Sequence, residues 1–250
     1  MTTIVITGGG RGIGAATARK AALAGWDVAI DYAGDDAAAR ATVAACEATG
    51  RRAVAVKGDV SDPAHVVALF NAAAGLGPVG ALVNNAGIVG ARGAFETISP
   101  EALRRTFEVN VVGAMLCAQE AVHRMSTVHG GAHGGAGGAI VNISSIAATL
   151  GSPGEYVHYA ASKGAIDSLT IGLAKELGRQ GIRVNAVQAG TTLTDIHGRE
   201  GNPDRPAQVA AAAPLGRCAE PDEIADAVLY LLSDQARYVT GAILRVGGGL

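Results

Sequence analysis

The chain has 250 residues, 49% hydrophobic but only 4% aromatic, with 36 glycines and a formal net charge of −2. That length suits one α/β domain or two small ones with a large core, packed closely through alanine and glycine. The balanced charge gives no basis for a nucleic-acid or anionic-membrane partner, and no apolar run reaches the ~18 residues of a membrane span.

The chain opens on Thr3–Ile6, a short β-branched run typical of a buried parallel strand. Thr7-Gly-Gly-Gly-Arg-Gly-Ile-Gly14 follows at once, and 15–24 reads as an alanine-rich helix. Strand, glycine turn, helix is the context that a dinucleotide fingerprint requires. Glycines let the backbone approach a pyrophosphate, and the helix N-terminus offers free N–H groups at a positive dipole end. Gly8, Arg11, Gly12, Ile13 and Gly14 are therefore candidate cofactor contacts. With the first strand starting almost at Met1, no room is left for a leader. Cys46, Cys117 and Cys218 are spaced for neither a metal nor a disulfide framework and read as buried thiols of a reducing compartment. A cytoplasmic protein is expected.

Further strands are expected at 28–32, 53–57, 81–84, 139–144, 182–187 and 243–246, and helices at 35–49, 61–75, 100–128, 158–180 and 221–233. The alternation implies a single doubly wound Rossmann domain over 1–250. Its seven-stranded, mostly parallel sheet carries helices on both faces and ligands at the carboxyl ends of the strands. His129 to Gly138 (HGGAHGGAGG) reads as a flexible loop. His129 and His133 have no carboxylate or cysteine partner in sequence, so no metal site is expected. Residues 191–215 hold Gly198, Gly201, Pro203 and Pro206 with little periodicity, and read as a substrate lid.

The densest chemical signal is Tyr159-Ala-Ala-Ser-Lys163. In a helix, residues at i and i+4 lie one turn apart on one face. A free phenol titrates near 10, and a neighbouring cation lowers that value toward neutrality. The pair makes a proton donor and acceptor suited to carbonyl and alcohol chemistry. Tyr156 lacks this partner, because Ala160 stands at its i+4 position.

Together these motifs resemble the short-chain dehydrogenases/reductases over nearly the whole chain. Gly58-Asp59-Val60 looks like the family's adenine-side segment, and Asn84-Asn85-Ala86-Gly87 like its signature after the fourth strand. Asn110, Ser145, Tyr159 and Lys163 match its catalytic tetrad. The resemblance implies an NAD(P)-dependent oxidoreductase acting on a small carbonyl or secondary alcohol. Tyr159 would exchange the proton, Ser145 would orient the substrate oxygen and Lys163 would also bind the nicotinamide ribose. Asn110 would hold a relay water, or bridge backbone groups at an irregular helix turn. Asp59 and Val60, Asn85, Ala86 and Gly87, and Gly190, Thr192 and Thr194 would line the cofactor. Asp59 has a rival reading as a cap for the helix near Ser61, and Asn84 and Asn85 as ties between turns. A catalytically silent cofactor-binding protein and an epimerase or dehydratase are the competing classes. The intact tetrad argues against the first, and the short chain against the second.

Three departures from the family pattern stand out. Ser145 and Tyr159 are fourteen apart, one more than in many relatives, which implies an inserted residue in the loop at 151–156. Ala189-Gly190 replaces the usual Pro-Gly, and Gly247 stands where many relatives carry an acid. For the cofactor, Arg11 in the glycine turn favours NADP(H). Asp31 at the end of the second strand argues for NAD(H), although Tyr32 aligns better with the acid of NAD-specific relatives. NADP(H) is therefore the weak preference. Apolar residues beyond the sheet-facing stripe, Val111, Val112, Leu116, Leu169, Leu173 and Leu177, imply a homotetramer, with a dimer as the alternative.

Overall fold

Valine, isoleucine and alanine runs build seven strands, which the computed structural model joins into one all-parallel sheet of order β3-β2-β1-β4-β5-β6-β7. The structure describes residues 2–128, 135–194 and 210–250. The strands are β1 (Thr3–Ile6), β2 (Asp27–Tyr32), β3 (Ala53–Lys57), β4 (Val79–Asn84), β5 (Gly138–Ser145), β6 (Ile182–Ala189) and β7 (Ile243–Val246). Residues 129–134, with both loop histidines, and 195–209, with most of the expected lid, lie outside the described residues.

Side-chain alternation along β1 sorts the core into two faces. Ile4 and Ile6 pack with Val28, Ile30, Val228 and Leu231 on one side. Val5 packs with Leu69, Phe70, Leu82 and Ile140 on the other. The first face is covered by α1 (Gly12–Leu23), α2 (Asp36–Glu47) and α8 (Pro221–Leu232), the second by α3 (Pro63–Leu76), α5 (Ala114–Met125) and α7 (Val157–Leu177). At the start of β2, Asp27 is fully buried and takes hydrogen bonds from the Arg52 amide and from both the Arg51 and Arg52 guanidinium groups.

Two helices differ from the sequence reading. The helix expected over 100–128 is interrupted: α4 (Pro100–Phe107) runs into a π-helical turn (Glu108–Gly113) before α5. The cause is tertiary. Asn110 Oδ1 accepts the Ile88 N–H at 2.8 Å, and its Nδ2 donates to the Ile88 carbonyl at 2.8 Å and to Ser162 Oγ at 3.0 Å. A one-turn helix, α6 (Ala147–Leu150), follows β5 where a loop was expected. The apolar surplus also falls elsewhere: Val111 and Leu177 are buried, and Leu116 and Leu173 pack on the core. The large apolar side chains left exposed along this region include Val112, Met115 and Ile171. The three cysteines are buried free thiols. Among the described residues no helix is long and apolar enough to cross a membrane.

Candidate active site

A cleft of about 960 Å³ opens at the carboxyl ends of the strands. Its floor is the turn from β1 to α1. Gly8 and Gly12 have φ of +62° and +54°, where a side chain is strained. A Cβ on Gly14 would overlap the Gly8 carbonyl, and one on Gly9 would overlap Ile30. The turn is held from the β4 side. Thr7 Oγ1 accepts the Asn85 and Ala86 N–H groups at 2.9 and 3.0 Å, and Asn85 Nδ2 donates to the Thr7 and Gly8 carbonyls at 2.8 and 3.1 Å. Asn85 thus spends its side-chain amide on the turn, the tying role considered from sequence. Asn84 instead ties β4 to its neighbours, donating to the Ala114 carbonyl at 3.1 Å and to Asn142 Oδ1 at 2.9 Å.

α1 has the exposed Arg11 as its N-cap, whose side chain makes no capping hydrogen bond. Its amides face the cleft beside Ile13, and Thr194 Cγ2 closes over Gly12. A close-fitting backbone cradle with uncapped N–H groups fits the pyrophosphate of a dinucleotide.

At the far end of the cleft, Asp59 Oδ1 accepts the Ser61 N–H and hydroxyl, and Arg105 pairs with Oδ2. Burial pushes this carboxyl up, but the Ser61 donors and the Arg105 guanidinium outweigh it and hold it below its ordinary value. The cap of α3 is Asp62, which takes the Ala64 N–H at 2.9 Å, so the capping alternative for Asp59 falls away. Val60 lies beneath, 5% exposed.

Asp31, weighed from sequence as the acid that would favour NAD(H), lies at the edge of the cleft. Its carboxylate is 2% exposed and turned under the glycine turn, where Oδ1 accepts the Gly8 N–H and Oδ2 lies 3.3 Å from His65 Nε2. Tyr32, on the opposite face of the strand, borders the cleft with Asp36, whose carboxylate pairs with Lys57 at 2.9 Å.

The four tetrad residues come from three elements. Tyr159 and Lys163 lie one turn apart on α7, and the ammonium stands 5.7 Å from the phenol ring centroid. Lys163 is 5% exposed and donates to the Ile143 carbonyl at 2.7 Å. Burial pushes its ammonium down to about 8, against the opposing pull of Asp167. Asp167 itself accepts from Gln188 Nε2 at 2.7 Å. Ser145, at the tip of β5, accepts the Ala147 N–H on Oγ at 3.1 Å, which leaves its own proton to donate. Ser144 points instead to the Lys163 carbonyl at 3.2 Å. Asn110 is committed to Ile88 and Ser162, which fits its bridging role. Gly87 sits between the two groups, since a Cβ there would stand 3.2 Å from Asn110 Oδ1 and 3.6 Å from Lys163 Nζ.

After β6, the Gly190 N–H donates to Val246 O at 2.8 Å, and Thr192 Oγ1 donates to Gly190 O at 3.0 Å. The inserted loop takes a left-handed step at Ser152, φ +44°, and Gly93 N–H donates to Glu155 O at 3.0 Å. Among the cleft residues not anticipated are Arg105, Leu250 and Tyr156, the last only 2% exposed. Arg105 reaches Asp59 from 46 residues away, and no local motif marks it.

A family model described as enoyl-(acyl carrier protein) reductase matches residues 8–250. The chain is 45% identical to YgfF, an uncharacterized oxidoreductase of Escherichia coli strain K12, over all of both chains. It is 42% identical to the L-rhamnose 1-dehydrogenase (NAD(P)(+)) of Sphingomonas sp. strain SKA58, over 99% of this chain and 95% of that one. A short chain dehydrogenase of Burkholderia cenocepacia J2315 in complex with NADP superposes with a TM-score of 0.89 at 34% identity, over 99% of this chain and 97% of that one.

Proposed function

On the premise that this chain belongs to the classical short-chain dehydrogenases/reductases and is an NAD(P)-dependent oxidoreductase of alcohol and carbonyl groups, we propose that Tyr159 is its proton donor and acceptor and that a secondary alcohol, or its carbonyl, is the substrate. The observation that carries this reading is the convergence of Tyr159, Lys163 and Ser145 on the cleft that also holds the glycine turn.

The cofactor, when bound, supplies hydride exchange at the nicotinamide. Ser145 donates a hydrogen bond to the substrate oxygen and orients it. Tyr159 gives that oxygen a proton in reduction and takes it in oxidation. The Lys163 cation stabilises the phenolate and is positioned by the Ile143 carbonyl. Asp59, Val60, Ala86, Gly87, Gly190, Thr192 and Thr194 flank the cofactor path. The preferred cofactor is NADP(H), the assembly a homotetramer, and the compartment the cytoplasm.

The test is a substrate panel of sugars, small ketones, hydroxysteroids and 3-oxoacyl thioesters, followed by nicotinamide absorbance with each cofactor. Sugars come first, given the L-rhamnose 1-dehydrogenase among the relatives. Turnover of at least one class with loss in Tyr159→Phe is expected. Turnover that survives in Tyr159→Phe overturns the proton role.

A further inference from the structure

The geometry points to Asp31 and His65 as positioning residues for the cofactor's pyrophosphate turn. They form a buried carboxylate–imidazole couple that clamps the first glycine, and so set how tightly any nicotinamide dinucleotide binds rather than which one. The inference rests on the reading of the cleft as a dinucleotide site.

Asp31 grips the turn twice. Its backbone carbonyl accepts the Gly9 N–H at 2.9 Å, and its Oδ1 accepts the Gly8 N–H. Gly8 has φ +62°, and a Cβ there would stand 3.0 Å from Ala86 Cα, so this residue is confined between β2 and β4. Gly8 O is the atom against which Gly14 packs. Holding Gly8 therefore holds the spacing between the turn and the first amides of α1.

The second oxygen of Asp31 faces His65 Nε2 at 3.3 Å, and both residues are buried, at 2% and 8% exposure. The imidazole is fixed from its other side, because a Cβ on Gly58 would overlap the ring. A buried carboxylate is costly unless both oxygens are satisfied. His65 satisfies the oxygen that the turn does not use. With both oxygens engaged below the turn, the buried Asp31 carboxylate is held in place by the turn and by His65.

The test measures dissociation constants of NADPH and NADH on the purified full chain without substrate, by calorimetry, together with kcat and KM for each cofactor. Asp31→Ala is expected to raise both dissociation constants by about tenfold, leaving their ratio within about threefold and kcat at saturating cofactor within about twofold. Asp31→Asn keeps an acceptor for Gly8 and is expected to bind both within about threefold of wild type. His65→Leu should weaken both, and His65→Gln, which restores a donor, should not. The His65 pair and Asp31→Asn carry the test if Asp31→Ala does not fold. Selective loss of NADH affinity in Asp31→Asn, or unchanged affinity in His65→Leu, overturns the proposal. A wild type that binds neither dinucleotide overturns the cofactor reading itself, and the clamp with it.

Discussion

Gly190 and Gly247 meet backbone to backbone: a Cβ on Gly190 would stand 2.8 Å from the Gly247 Cα. The contact joins the loop after β6 to the C-terminal tail, and Gly190 of the one and Leu250 of the other line the cleft. It also gives a reason for glycine at 247, since a Cβ there would stand 2.9 Å from Ile146 Cγ2. The two sites differ in what has to yield. At 190 the obstacle is backbone, whereas at 247 it is the end of a side chain that can rotate. Gly190→Ala should lower both Tm and kcat/KM, the latter by about tenfold, and Gly247→Ala by less than about threefold. Melting curves and steady-state rates of the two variants check the order. The reverse ranking would mean that the tail, not the β6 loop, is the rigid partner.

Tyr159→Phe removes the exchangeable proton and keeps the ring's packing. Turnover should fall by at least about a hundredfold, with cofactor affinity within about threefold of wild type. A variant that keeps a tenth or more of wild-type kcat would sink the assignment.

Lys163 titrates at about 8, and Asp167 is the group that opposes its fall. The ammonium is charged below that value and neutral above it. Asp167→Asn removes the opposing pull, so the pKa moves lower and the cation is lost at lower pH. The alkaline limb of kcat/KM should shift downward in this variant. A profile that does not move would show that Lys163 protonation does not limit the rate.

The Asp27 cluster predicts acid sensitivity. Burial pushes the Asp27 carboxyl up, but the Arg52 amide and the Arg51 and Arg52 guanidinium groups outweigh it and hold it below its ordinary value of 3.8. A depressed carboxyl contributes stability above its unfolded pKa and loses it as pH falls through the folded one. Asp27→Asn should therefore cost about 2 kcal/mol at neutral pH, because it removes the counter-charge of the partly buried Arg51 and of the exposed Arg52. The difference from wild type should shrink below pH 3.8. Chemical denaturation at neutral and acid pH measures both, and a pH-independent difference would contradict the ion-pair account.

The sheet was legible because each strand carries its own signal: four buried β-branched residues before a glycine turn leave little choice. The Tyr159 and Lys163 pair was legible because a helix converts a spacing of four into proximity. The irregular turn at Asn110 was legible only through the family resemblance, since it depends on Ile88, 22 residues away. Asp31 was left between two readings because a strand end offers two faces, and His65 and Gly8, brought there by the fold, engage its carboxylate. Arg105 on Asp59 and the C-terminal Leu250 in the cleft are likewise products of tertiary closure.

Assembly is tested through the apolar side chains that remain exposed. Val112, Met115 and Ile171 are 44%, 40% and 40% exposed, on the α5 and α7 side of the molecule. Contiguous exposed apolar surface is one kind of surface that a second subunit can cover. Light scattering at micromolar concentration should give a tetramer, or a dimer as the lesser assembly. Ile171→Glu combined with Met115→Glu should shift it toward smaller species. A monomeric wild type contradicts the assignment.

Cofactor choice turns on what surrounds the adenosine 2′ position. With the Asp31 carboxylate engaged by the Gly8 N–H, β2 borders the cleft with the Tyr32 side. Asp35 caps α2 through the Ala38 N–H at 3.0 Å, and Asp36 is paired with Lys57. Each nearby carboxylate thus already has a partner, which lowers its capacity to repel a 2′-phosphate. Arg11 is exposed at the mouth of the cleft, and its fork can take a phosphate through two hydrogen bonds. Arg11→Ala should raise KM for NADP(H) by about tenfold and change that for NAD(H) by less than about twofold. Lys57→Ala, which frees Asp36, should also weaken NADP(H) more than NAD(H). Steady-state kinetics with both cofactors decide the matter. If the wild type prefers NAD(H) by about tenfold or more, Asp36 or Asp35 acts as the ribose acid and the NADP(H) preference is wrong.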